Sequence, residues 1–192
     1  GLGGGVIIIP LLTLALGVDI HYAIGASIVS VIATSSGSAA AYVKEGITNI
    51  RIGMFLEIAT TVGAICGAIV AVYLNPDYIA VIFGCILIFS AIMTLKKKVD
   101  HSTQDDSSKL ARFFKLNGSF PDKGLTHTYA VKNVAGGFSM MLFAGTLSGL
   151  LGIGSGALKV IAMDNIMRLP FKVSTTTSNF MMGVTAAASA IV

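Results

Sequence analysis

The chain has 192 residues, of which 54% are hydrophobic and only 11% charged, and its mean hydropathy is +0.84. So little polar surface excludes a soluble domain of this length and points to an all-α integral membrane protein. The net charge of +4 is concentrated, with eight of the thirteen Lys and Arg between Lys96 and Lys132, so it speaks to membrane topology and excludes nucleic acid as a partner.

The chain opens on Gly1, Leu2, Gly3, Gly4 and Gly5, and the pattern returns as Gly152, Ile153, Gly154, Ser155 and Gly156 at an offset of 151 residues. The same offset pairs Ser27 with Ser178, Thr34 with Thr185, Ser38 with Ser189 and Ala39 with Ala190, which marks an internal duplication. Glycines crowded into an apolar segment break a helix and bare its backbone. Inside a bilayer that is tolerated only where protein or a water-filled cavity covers it. The chain begins within one motif and stops within an apolar run, and it reads as a piece of a longer protein. By the repeat register, an apolar stretch should precede Gly1, and counterparts of the third and fourth apolar segments should follow Val192.

Residues 6–16 are too short to cross about 30 Å of hydrocarbon alone and predict a half-helix or the tail of a longer span. Residues 20–43 are long enough, and their small and hydroxyl side chains (Ser27, Ser30, Thr34, Ser35, Ser36, Ser38) suit close helix packing or a polar path. After a polar loop at 44–51 comes a span at 52–74. Gly63 and Gly67 form a GxxxG pair there, read as packing. Glu57 lies about one turn inside this span, where it is part of a proton path, reaches the interface, or pairs with Lys44 or Arg51. A turn at Asn75, Pro76 and Asp77 leads to a span at 78–95.

Residues 96–133 form a polar loop that starts as a solvated linker, and its later part alternates turn formers with strand-favouring residues, predicting a small β-hairpin. Cys66 and Cys85 sit in apolar stretches without metal-ligand spacing, so no disulfide, metal or cofactor is expected. Residues 134–167 would measure about 51 Å as one straight helix, too long for one crossing. They form either a kinked span or a re-entrant hairpin. Residues 171–192 then begin the equivalent of the 20–43 span. If the broken segments return to their own side, every Lys and Arg outside the apolar core falls on one face, which is then cytoplasmic. That favours inverted repeats over parallel four-span halves. The domains are a first transmembrane repeat at 1–95, a cytoplasmic loop at 96–133 and a second repeat at 134–192.

The paired glycine motifs carry a resemblance. Together with Pro10, the segment Gly25, Ala26, Ser27, the run from Ser148 to Gly156 and the sequence from Leu169 to Ser178, they resemble the TauE/SafE sulfite exporter family over nearly all of the chain outside 96–133. Departures are Ser155 where the first copy has Gly4, and a longer central loop. The resemblance implies a multi-pass permease of the cell (inner) membrane that moves small anions such as sulfite or organosulfonates by alternating access, with a coupling ion as a further partner.

Physical chemistry is consistent with that. Broken helices aim N–H groups inward, which suits an anion. The substrate-binding candidates are Gly3, Gly4, Gly5, Ser27, Gly154, Ser155, Gly156, Lys159, Thr177 and Ser178. Lys159, within an apolar run, either neutralises the anion, pairs with Asp164 or snorkels to the surface. Ile8 stands at its place in the first copy. Gly152 to Ala157 formally satisfies a dinucleotide fingerprint but lacks a βαβ unit. The three histidines, His21, His101 and His127, lie in or beside loops away from any nucleophile, so no enzyme is expected. A passive anion channel and a membrane scaffold subunit are the rival readings, and the small-residue faces permit a homodimer.

Overall fold

The computed structural model describes residues 4–95, 108–122 and 125–191. Gly3 and the start of the expected linker at Lys96 lie outside the described residues. The secondary structure of the described residues is helical apart from one hairpin: α1 (Gly5–Pro10) passing into a π-helical turn (Leu11–Ala15), α2 (Ile20–Lys44), α3 (Ile50–Tyr73), α4 (Pro76–Leu95), α5 (Lys109–Phe113), β1 (Gly118–Asp122), β2 (Leu125–Tyr129), α6 (Val134–Leu151), α7 (Gly156–Ile161) passing into a second π-helical turn (Ala162–Ile166), and α8 (Phe171–Ser189). Of these, α2, α3 and α6 are long and apolar enough to cross a membrane. Their 25, 24 and 18 residues give lengths of about 27–38 Å.

Side chains set several helix starts. Asp19 caps α2 through the His21 N–H, Asn49 caps α3 through Ile52, Ser108 caps α5 through Ala111, and Asn133 caps α6 through Gly136. The bonds from His21 also hold the Asp19 carboxyl below its ordinary range.

Glycines decide how the long helices pack. A Cβ built on Gly63 would fall on the Leu142 carbonyl and one on Gly67 on the Thr146 carbonyl. In return, Gly145 and Gly149 of α6 press on the carbonyls of Thr60 and Ala64. Two GxxxG faces therefore interlock, α3 against α6, as small residues permit where lipid supplies no hydrophobic drive. The opposite face of α3 carries Met54, Ile58, Val62, Ile65, Ile69 and Val72, all exposed at helical spacing. That stripe suits acyl chains.

The ends of the long apolar segment adjoin. The Lys132 N–H donates to the Met167 carbonyl at 3.0 Å, and the Met167 side chain lies against Gly137 on the first turn of α6. α6 and α7 are thus the arms of a hairpin, as expected of a re-entrant segment and not of one kinked crossing. Meanwhile α2 and α8 run in opposite senses. His21 and Ser189 line one cleft, Ser35 lies against Gly183, and Thr177 accepts from the N–H of Asn49, just past the end of α2, at 3.1 Å.

The expected β-hairpin is present, with β1 and β2 antiparallel and Ser119 opposite Thr128. Its Tyr129 hydroxyl accepts from Asn49 at 2.7 Å, which ties the hairpin to the α2–α3 loop. Burial pushes the Tyr129 hydroxyl above its ordinary pKa. One apolar cluster, including Ile52, Leu56, Met141, Met163 and Met181, lies beneath the hairpin. A second, including Ile9, Ile24, Ile28, Ile79, Phe83 and Ile153, surrounds the glycine breaks.

The duplication extends to local detail. The π-helical turns at 11–15 and 162–166 are 151 residues apart, and so are Gly17 and Arg168, which take φ of +64° and +56°. Each arm ends on a left-handed residue that turns the chain into the next helix.

Candidate functional site

The two glycine breaks meet in the interior. A Cβ on Gly5 would strike the Ser27 hydroxyl, the Ile153 Cα and the Gly152 carbonyl. Only glycine fits where the breaks cross. The second break turns on three left-handed residues, Gly152, Gly154 and Ser155, at φ of +63°, +73° and +41°. Left-handed backbone favours glycine in this way, and Ser155 holds it without that freedom. Gly4 begins the first half-helix with right-handed geometry and lies against Ile8 and Ser30. Between Val6 and the Ile153–Leu158 segment is a space of about 20 Å³, completed by Ile86, Leu87 and Ser90 of α4. One water fits there, and a sulfonate does not.

Expected donors divide into two groups. Ser27 donates to the Gly152 carbonyl at 2.7 Å, and Ser178 donates to the Gly156 carbonyl at 3.1 Å. These hydroxyls, 151 residues apart in sequence, clamp the two edges of one break. Thr177 faces the other way, toward Asn49. By contrast, the hydroxyls of Ser155, of Ser148 at the end of α6 and of Ser174 on the first turn of α8 are buried with no hydrogen-bond partner among the described residues. A buried hydroxyl without a partner costs about 1–3 kcal/mol, and of the three Ser155 lines the space at the break. Ser148 and Ser174 were not singled out from sequence. Their signal was position, each about one turn from a break residue or its clamp.

Lys159 is fully buried, and its ammonium donates to the Thr185 hydroxyl at 2.5 Å. Thr185 in turn lies 2.6 Å from Glu57 Oε1, where its hydroxyl donates, and Thr61 reaches the same oxygen at 3.3 Å. Glu57 is 6% exposed, and its Oε2 has no hydrogen-bond partner among the described residues. The partners expected from sequence were neighbours, Asp164 for Lys159 and Lys44 or Arg51 for Glu57. Instead α3, α7 and α8 bring the two charges to one threonine, and no direct ion pair forms. Thr34, the counterpart of Thr185, sits exposed on α2 and bonds back to the Ser30 carbonyl at 2.8 Å. The cluster joins Glu57 of the first half to Lys159 and Thr185 of the second, and Thr34 with Ile8 forms no counterpart of it.

Among the described residues no group of His, Cys, Asp and Glu is placed to hold a metal, and Cys66 and Cys85 are free and exposed.

Residues 1–192 match the family described as Sulfite exporter TauE/SafE. The chain is 30% identical over 189 residues to Probable membrane transporter protein YunE of Bacillus subtilis (strain 168), covering 95% of this chain and 67% of that protein. It is 28% identical over 180 residues to Probable membrane transporter protein YdhB of the same organism, covering 93% and 65%. It therefore spans about two thirds of the length of these relatives. No solved structure matches it. With a match along its whole length, apolar helices of membrane-crossing length and relatives named as membrane transporters, the chain belongs to the TauE/SafE sulfite exporter family, a transporter family and not one of enzymes.

Proposed function

We propose that the protein carries small oxyanions, sulfite or organosulfonates, across the cell membrane by alternating access, with the crossed glycine breaks as its substrate site. One observation carries this reading: the partnerless buried hydroxyls of Ser148 and Ser155 lie within about a turn of the second break, and the buried Lys159 is on the half-helix that follows it. Such a site offers an anion short donors and one positive charge in a medium that strengthens both. Unpaired N–H groups at the start of each half-helix add to it. Gly4, Gly5, Gly154 and Gly156 shape the break, Ser155 and Lys159 face the substrate, and Ser27, Thr177 and Ser178 hold the frame. Gly3 completes the first motif.

The site as described is closed, since a space of about 20 Å³ admits no oxyanion. Transport then requires the arms to part, first toward one side and then the other. The opposed directions of α2 and α8, which the repeat offset makes equivalent, support inverted halves at 1–95 and 134–192 that rock against each other, with 96–133 as a cytoplasmic connection.

The test is counterflow in vesicles containing the purified full-length protein, with radiolabelled sulfite and isethionate. Saturable counterflow is the expected result. Ohmic anion current without counterflow would establish a channel and end the alternating-access reading.

A further inference from the structure

We propose that Glu57 is the resident counter-anion of Lys159 and the point at which a proton joins the transport cycle, so that each anion seated at Lys159 enters together with one proton. This rests on the reading of the glycine breaks as an anion site.

The argument begins with charge balance. Lys159 and Glu57 are both buried, and Thr185 bonds to each, so the empty site contains one positive and one negative group and is neutral. An oxyanion that takes the ammonium would leave that interior with two negative groups and one positive. An uncompensated charge away from water is strongly unfavourable. Protonating the carboxylate restores neutrality.

The geometry provides for that step. Oε1 is held by Thr185 and Thr61, whereas Oε2 is buried with no partner among the described residues, and it is the atom with room for a proton. When Lys159 turns to the anion, the one proton of the Thr185 hydroxyl still has Glu57 Oε1 and the Met181 carbonyl as alternative acceptors at 2.6 and 2.9 Å, so the side chain stays in place. The step balances: one proton passes from water to Oε2, no covalent bond to the substrate forms or breaks, and the proton leaves when the anion departs and Lys159 returns.

Few other charges bear on Glu57. On α3 the other titratable groups are Arg51 at its start and the exposed Cys66 and Tyr73. α6 has none, α8 has Lys172 on its first turn, and Asp164 follows Lys159 on the turn after α7. Lys109, Arg112 and Lys115 are exposed around α5, where Phe114 packs on Phe55. Among the described residues, Lys159 is the charged side chain that shares a hydrogen-bond partner, Thr185, with Glu57.

The experiment uses vesicles of the full-length protein and whichever of the monoanions isethionate, methanesulfonate and ethanesulfonate, whose single charge one proton balances, shows counterflow. No counterflow in the wild type with any of them, nor with sulfite, would refute the anion-carrier reading and this proposal with it. With counterflow established, an imposed proton gradient should drive several-fold accumulation of the anion toward the alkaline side. Glu57→Gln should retain counterflow and lose that accumulation. Binding to the wild type should weaken up to tenfold per pH unit as pH rises, and Glu57→Gln should flatten the profile. Absence of gradient-driven accumulation in the wild type, or its persistence in Glu57→Gln, would overturn the proposal. Where Glu57→Gln fails to insert, Glu57→Asp decides: a displaced pH profile supports the assignment, and an unmoved one refutes it.

Discussion

Replacing Lys159 by Met tests whether the buried charges stabilise each other across Thr185. Bonds of 2.5 and 2.6 Å laid end to end place the ammonium and carboxylate at most about 5 Å apart, worth about 3 kcal/mol at an effective dielectric of ~20. Removing the ammonium leaves Glu57 buried and uncompensated, with an expected loss of roughly 3–5 kcal/mol. Glu57→Gln alone should cost less, because the amide keeps a hydrogen-bonding oxygen, and in the double variant the lysine's partner and the stranded carboxylate are both gone. The double variant should therefore lose about 3 kcal/mol less than the two single losses added together. Unfolding of the full-length protein in mixed micelles, titrated with denaturing detergent, measures all four corners of the cycle. Additivity to within ~0.5 kcal/mol would show that the charges do not interact and would refute the reading of the cluster as a unit.

Three further outcomes follow from the packing and the topology. Gly149→Val drives two methyl groups into the Ala64 carbonyl and should destabilise by roughly 2–4 kcal/mol or prevent insertion, while Gly84→Ala, with nothing within 4 Å of the new atom, should be neutral or stabilise by up to about 1 kcal/mol in the same assay. Ser155→Gly relieves a left-handed serine and removes an unpartnered hydroxyl, so stability should rise by about 1 kcal/mol while anion affinity falls; a rise in both would remove Ser155 from the substrate site. In a variant lacking Cys66 and Cys85, single cysteines at Lys44, Arg168 and Lys172 should react with a membrane-impermeant maleimide from one side of the membrane and a cysteine at Asp77 from the other, and labelling of Arg168 with Asp77 would contradict the hairpin topology.

Much of the frame was legible because the bilayer enforces it. Apolar runs of sufficient length must be helices, and the glycine motifs must interrupt them, so α2, α3 and the break between α6 and α7 follow from residue spacing, while the hairpin was chosen over a kinked span by the placement of Lys and Arg. The structure begins α2 at Ile20 as expected, and it ends that helix one residue beyond the expected run. Gly63 and Gly67 announced a close approach, but the partner face, Gly145 and Gly149, was not recognised, because a GxxxG pair does not name its complement. Reading the charges failed for a similar reason. Lys159 was weighed against Asp164 and Glu57 against Lys44 and Arg51, each a neighbour in sequence. The actual link runs through Thr185, and it depends on how α3, α7 and α8 pack. Two opposite charges isolated in separate apolar spans were nevertheless a usable sign, since each has few other routes to compensation. Among the hydroxyls, sequence could not separate Ser27 and Ser178, which hold backbone carbonyls, from Ser155, which holds nothing.

The matched π-helical turns bear on the history of the molecule. Such a turn spaces its hydrogen bonds one residue wider than an α-helical turn, and it is rare. Its recurrence at the same register in both copies is what a feature older than the duplication would leave. The contrast between Lys159 and Ile8 arose after the doubling, whichever copy changed. An ancestor assembled from two identical subunits would have had two equal half-sites, and fusing them into one chain freed each to change alone.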